Sequence, residues 1–258
     1  DDHSGLTFEV VEDEHLEGGK KARHRGIYLL PNLFTTAALF SGFYAIISGM
    51  NGQYESAALA IFLAALFDGM DGRVARMTNT QSAFGAEYDS LSDMVSFGVA
   101  PALVMFSWSL HTLGKLGWIC AFIYCVAAAL RLARFNVQLN VADKRYFIGL
   151  ASPLAGAIVA AVVWVGVDNK LLEQYPELSI VSAIIIVSLG FLMISNVKYY
   201  SFKERDRGRV PFVVMLPIVL IFGIVMYDLP IGILAVSVLY AVAGPIAAVW
   251  NRWRGKAA

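Results

Sequence analysis

Charge is scarce in this chain: only 16% of its 258 residues are Asp, Glu, Lys or Arg, against about 25% in an ordinary soluble domain. With 58% hydrophobic residues and a mean hydropathy of +0.62, too little polar surface is left to cover a water-soluble fold. The charges balance, 20 Lys plus Arg against 20 Asp plus Glu, so nothing recruits nucleic acid in bulk. Cysteine is nearly absent. Cys120 and Cys125 would point about 140° apart on one helix, a poor geometry for a disulfide, and no zinc or redox spacing exists. The four histidines, His3, His15, His24 and His111, fall in tails or at a helix end, which leaves no Ser/His/Asp or Cys/His arrangement for covalent catalysis. There is no periodic repeat and no linker long enough to separate two domains.

What the chain has instead is long apolar runs. They predict helices over residues 29–49, 54–77, 86–110, 116–138, 147–167, 178–197, 210–227 and 230–250, each long enough to span about 30 Å of hydrocarbon. The expected fold is all-α, a polytopic membrane bundle of about eight transmembrane helices. The first run is one of eight, so it reads as a span and not as a secretory signal. Residues 1–26 form a polar preface with seven acids followed by Lys20, Lys21, Arg23 and Arg25, too poor in apolar surface to fold alone. If the loops alternate sides, 18 of the 20 basic residues share a side with both termini, and only Lys115 and Lys170 lie opposite. The positive-inside rule then places both termini and the basic loops in the cytoplasm. The cluster Lys198, Lys203, Arg205, Arg207, Arg209 reads as an anchor for lipid headgroups.

Four acids interrupt the apolar pattern. Asp68 and Asp71 lie near the end of the second predicted helix, and Asp89 and Asp93 near the start of the third. An aspartate in a membrane helix costs several kcal/mol unless it is paired, hydrated or bound to metal. The i, i+3 and i, i+4 spacings put each pair on one helix face, and two antiparallel neighbours would bring all four together. Like charges so close cannot all stay ionised without compensation. Four carboxylates with no His or Cys make a hard oxygen site, suited to two divalent cations, Mg²⁺ or Mn²⁺. The competing reading is a set of solvated helix-end acids paired with Arg73 and Arg76. Gly69, Gly72 and Ala75 leave the wall beside the acids free of bulk, which suits either a bound ligand or close helix packing. Arg76, one turn beyond Gly72, is placed to grip a phosphate.

The order Asp68, Asp71, Gly72, Ala75, Arg76, then eight residues, then Gly85, Asp89 and Asp93 resembles the signature of the CDP-alcohol phosphotransferases at every fixed position. The resemblance covers roughly residues 27–197, taken as a six-helix core between the polar segment 1–26 and a region 198–258 holding a basic loop and two further helices. It implies a di-metal site made by Asp68, Asp71, Asp89 and Asp93, a CDP-linked lipid whose diphosphate bridges the metals, and Asp93 as the base that activates the acceptor hydroxyl. Pro31-Asn32-Leu33-Phe34-Thr35 is similar to the family's nucleotide-pocket element. Asn32, Thr35, Asp68, Gly72, Ala75, Arg76 and Gly85 are thus implied to bind CDP and its phosphates. The family also implies a homodimer.

Arg131-Leu132-Ala133-Arg134-Phe135-Asn136 and Gly149-Leu150-Ala151-Ser152-Pro153 resemble motifs of the bacterial membrane-embedded phosphatidylserine synthases. Ala151 departs from the proline common there. This likeness implies CDP-diacylglycerol and L-serine as substrates, with Arg131, Arg134 and Asn136 facing the serine carboxylate, and the bacterial inner membrane as location. The alternatives are a sister enzyme taking glycerol 3-phosphate, inositol phosphate or choline, and a divalent-cation transporter. A transporter predicts acids through the whole membrane depth, whereas these four gather at one end.

Overall fold

The computed structural model describes residues 29–78, 82–138, 146–200 and 228–253. The polar segment 1–26, the helix expected at 210–227 and the basic residues Lys203, Arg205, Arg207 and Arg209 lie outside them.

Helices dominate. α1 (Leu29–Met50) and α2 (Tyr54–Thr78) form an antiparallel hairpin closed by Asn51-Gly52-Gln53, in which Gly52 takes φ +74°. Their seam is narrow because α2 turns Ala57, Ala58, Ala60 and Ala64 inward, all buried, and small residues let membrane helices approach closely. α3 (Ala83–Asp93) starts at Ser82, an N-cap whose hydroxyl accepts from the Gly85 N–H at 2.9 Å. It runs through a π-helical turn, Met94–Val99, into α4 (Ala100–Trp108).

The π turn has a cause in the sequence. Pro101 has no N–H to give the carbonyl of Phe97, four residues back, and its ring crowds that carbonyl. The helix widens, Ala100 N–H bonds to Val95 O, and the freed Phe97 carbonyl accepts from the hydroxyl of Tyr124 at 3.0 Å. Tyr124 is fully buried on α5 (Lys115–Gln138), so the orphaned acceptor is satisfied inside the bundle, as a buried carbonyl must be.

α6 (Ser152–Asp168), the short α7 (Leu171–Gln174), α8 (Leu178–Ile194) and α9 (Leu229–Trp253) complete the described helices. One correction concerns residues 147–151, expected as helix. Tyr146–Ile148 is a strand, β1, paired antiparallel with β2 (Lys198–Tyr200) in the register Phe147 opposite Tyr199. Gly149 then reverses the chain at φ +80°, and Pro153 sits in the first turn of α6, where its missing N–H costs nothing. α9 docks on this ribbon: Tyr199 is buried, donates its hydroxyl to Ala241 O at 3.0 Å and stacks on Tyr240.

Four described helical stretches are long and apolar enough to cross a membrane, Pro31–Met50, Phe84–Trp108, Lys115–Val137 and Leu229–Ala247, with Ser152–Asp168 and Leu178–Ile194 as shorter apolar helices. The interior is apolar, as in a soluble protein, but the outer surface is apolar too. Phe40, Phe122, Ile184 and Phe191 face outward, while Thr35, Ser92 and Ser96 are buried. A hydrocarbon surround explains both halves of that pattern, since only there do exposed apolar rings cost nothing. The chain folds as a polytopic helical membrane bundle.

A close crossing of α1 and the π turn yields a prediction. A Cβ on Gly42 of α1 would lie 2.5 Å from Ser96 Oγ and 2.7 Å from Ser96 Cα, and the second contact is backbone that no rotamer change relieves. Gly42→Ala is expected to lose about 1–3 kcal/mol of stability, read as a lower thermal unfolding midpoint in detergent. A midpoint equal to wild type would show that α1 and the π turn separate freely.

Candidate active site

The site lies where α1, α2 and α3 converge. Asp68 and Asp71 project from the second half of α2, and Asp89 and Asp93 from the final two turns of α3, the latter immediately before the π turn. One carboxylate oxygen from each of Asp68, Asp71 and Asp89 lies within 4.8 Å of the others. Asp93 falls outside that trio, yet its carboxyl is in hydrogen-bonding contact with Asp68, as that of Asp89 is with Asp71. The quartet is therefore two cross-helix carboxyl pairs side by side. Asp71 is the most enclosed, at 6% exposure, and receives the Thr35 hydroxyl at 2.9 Å on Oδ2.

A seam of hydroxyls holds α3 against α1 at this depth. Ser92 donates to Thr35 O and Ser96 to Ala38 O, both at 3.1 Å. Thr36 gives its proton to Asn32 O at 2.7 Å, so the Tyr88 hydroxyl, 2.9 Å away, donates to Thr36 Oγ1. Tyr88, Ser92 and Ser96 follow one another every four residues, one face of a helix. Each of the first two precedes an aspartate of the site by one position, so the seam fixes the azimuth at which Asp89 and Asp93 leave α3. Sequence analysis did not single out this stripe, although its i, i+4, i+8 spacing was there to be read.

The expected nucleotide-pocket residues gather at the same end. A Cβ on Gly85 would meet Ser82 Oγ at 3.1 Å and Asn32 Oδ1 at 3.6 Å, which places the Pro31-Asn32 element against the start of α3. The guanidinium of Arg76 folds back along α2, with Nη1 3.6 Å from where a Gly72 Cβ would be, and acts electrostatically on Asp71. Ala75 is half-buried on α2, and Gly69 is open, with nothing within 4 Å of its Cβ position.

The three residues expected at the acceptor are in three different states. Arg131, on α5, donates to Ser152 Oγ at 2.6 Å, lies within electrostatic reach of Asp93 and Asp68, and keeps a buried Nε with no partner. Asn136 Nδ2 donates to Ser90 Oγ at 3.0 Å, and Ser90 passes its own proton to Ala86 O. Arg134 departs from the expectation. Its guanidinium is turned to the chain itself, with four hydrogen bonds to Ile148 O, Ile194 O, Ser195 O and Asn196 Oδ1, all at 3.1 Å.

Carboxyl groups in mutual contact inside a bundle demand positive charge or shared protons between them. The donors here are all carboxylate oxygen, which fits hard divalent cations and not zinc.

Residues 28–194 match the family described as CDP-alcohol phosphatidyltransferase. Among curated relatives, CDP-diacylglycerol–serine O-phosphatidyltransferase of Helicobacter pylori (strain 26695) is 38% identical over 223 residues, covering 85% of this chain and 91% of that protein. The protein of the same name from Methanocaldococcus jannaschii is 38% identical over 201 residues, 78% of this chain and 88% of its own. That of Bacillus subtilis (strain 168) is 33% identical over 176 residues, 68% and 92%. Spanning the whole aspartate signature, with its acids brought together as that signature requires, the chain belongs to the CDP-alcohol phosphatidyltransferase family.

Proposed function

We propose that this protein transfers the phosphatidyl group of CDP-diacylglycerol to the hydroxyl of L-serine, giving phosphatidylserine and CMP. The observation that carries the reading is the meeting of the aspartate quartet with Arg131 of α5, whose buried Nε has no hydrogen-bond partner. The names of the relatives point to the same acceptor.

The chemistry is displacement at phosphorus. The serine oxygen forms a bond to the phosphorus that bears diacylglycerol, the bond from that phosphorus to the CMP oxygen breaks, and the serine proton goes to a base. Asp93 is that base, standing apart from the trio and beside Arg131. Arg131 receives the serine carboxylate through its free Nε, and Asn136, further along the same helix and bonded to Ser90 of α3, closes the acceptor side. Asp68, Asp71 and Asp89, joined by Asp93, would hold two divalent cations, Mg²⁺ or Mn²⁺, which when bound supply Lewis acidity to the diphosphate and offset the charge of the leaving CMP. Thr35 keeps Asp71 oriented, Arg76 meets phosphate, and Asn32, Gly72, Ala75 and Gly85 shape the wall for the nucleotide. Position and charge compensation suffice for such a transfer, with no covalent intermediate.

The distribution of basic residues supports a cytoplasmic active site and cytoplasmic termini in a bacterial inner membrane, and the family likeness favours a homodimer, which light scattering in detergent would measure. The acceptor is tested by a panel. Purified protein with CDP-diacylglycerol and Mg²⁺ or Mn²⁺ is expected to release CMP with serine, and not with glycerol 3-phosphate, inositol phosphate or choline. Release with glycerol 3-phosphate but not with serine would overturn the acceptor and leave the family standing.

A further inference from the structure

We propose that Arg134 is a positioning residue and not a substrate ligand: it latches the site-bearing end of α5 onto the α8 terminus and the β1–α6 turn, and thereby aims Arg131. The proposal rests on the reading above that Arg131 faces the acceptor.

A guanidinium has five N–H donors in a rigid fork, and four of those on Arg134 are used by the protein. The acceptors share a character. Ile194 is the last residue of α8 and Ser195 its C-cap, where carbonyls have no donor within the helix and a cation complements the dipole. Ile148 ends β1, and Asn196 is exposed just beyond α8. Arg134 thus ties the site-bearing end of α5 to the end of α8 and to the end of β1.

The turn it grips is built to be gripped. Gly149 N–H bonds to Val197 O at 2.9 Å and Leu150 N–H to Leu192 O at 3.0 Å, which lays the β1–α6 turn on the end of α8. Only glycine fits there. Its φ is +80°, and a Cβ would run into Met193 O and lie 3.0 Å from Arg134 Nη2. Three residues later Ser152 accepts from Arg131 Nη1. Arg131 and Arg134, one helical turn apart, therefore hold the two flanks of one turn, and the latch at Ile148 determines where Ser152 stands when Arg131 reaches it. The Gly149 to Ser152 motif reads as the receiving half of this device.

The test uses Arg134→Lys, Asn196→Ala and Gly149→Ala beside Arg131→Lys, each purified in detergent, with KM for serine, KM for CDP-diacylglycerol, kcat and thermal midpoint measured. A lysine cannot reproduce the fork, so Arg134→Lys is expected to raise KM for serine about tenfold. Asn196→Ala, which removes one acceptor while leaving Arg134 itself intact, should raise it about threefold, and Gly149→Ala should behave like Arg134→Lys. KM for CDP-diacylglycerol should stay unchanged in all of them, and Arg131→Lys combined with Arg134→Lys should cost no more than the larger single change. If Arg134→Lys raises KM for serine while Asn196→Ala and Gly149→Ala equal wild type, Arg134 is a ligand and the proposal falls. If the latch variants lower only the thermal midpoint, its role is structural and the proposal also falls. Should Gly149→Ala not fold, Asn196→Ala decides alone. An unchanged serine KM in Arg131→Lys would instead sink the acceptor reading.

Discussion

Asp93→Asn is expected to remove turnover almost entirely, by about 10³-fold or more, while CDP-diacylglycerol still binds. The geometry separates this residue from its three companions. Asp68, Asp71 and Asp89 share one close group of oxygens, whereas Asp93 makes its hydrogen-bonding contact with Asp68 and lies within electrostatic reach of Arg131. Asparagine fills the same volume and can still contact Asp68, so the helix and the π turn behind it should persist. What it cannot do is take a proton from serine. Comparison of CMP release with equilibrium binding of the CDP-lipid checks this, and activity within tenfold of wild type would assign the base elsewhere.

Asp71→Asn should fail differently. Asp71 is the enclosed member of the trio, held by Thr35 from α1 and facing Asp89 from α3. Removing its charge takes a hard anionic donor from the centre of the proposed cation site, where a neutral amide is a poor replacement. The expected result is loss of Mn²⁺ binding, measured by electron paramagnetic resonance on the detergent-solubilised protein, together with loss of CMP release. In Asp93→Asn, Mn²⁺ binding should survive at weakened affinity. Mn²⁺ bound by Asp71→Asn as tightly as by wild type would move the cation site away from the trio. The two variants thus separate proton transfer from charge compensation by a measurement that does not depend on catalysis.

Much of this was legible in the residues. Asp68, Asp71, Asp89 and Asp93 stand out because an ionised side chain in a membrane helix needs a reason, and their spacing already put each pair on one face. The apolar runs foretold the helices because in hydrocarbon the backbone has no alternative partner. Other features were present without being read. Pro101 alone implied a disturbed helix, and the stripe Tyr88, Ser92, Ser96 implied a polar seam. The strand at Tyr146–Ile148 was not legible as such. Its partner is some fifty residues away, and an apolar run bordering a helix does not announce where the helix begins.

The aspartates, their helix faces and the demand for compensating charge followed from the order of residues alone, because helical periodicity and the cost of buried charge are local properties. Which arginine stays free and which is consumed was decided only by tertiary structure. Arg131 and Arg134 are chemically identical and one turn apart on the same helix. They differ solely in what α6, α8 and β1 bring to them: Ser152 to one, with an N–H left over, and three carbonyls and an amide oxygen to the other.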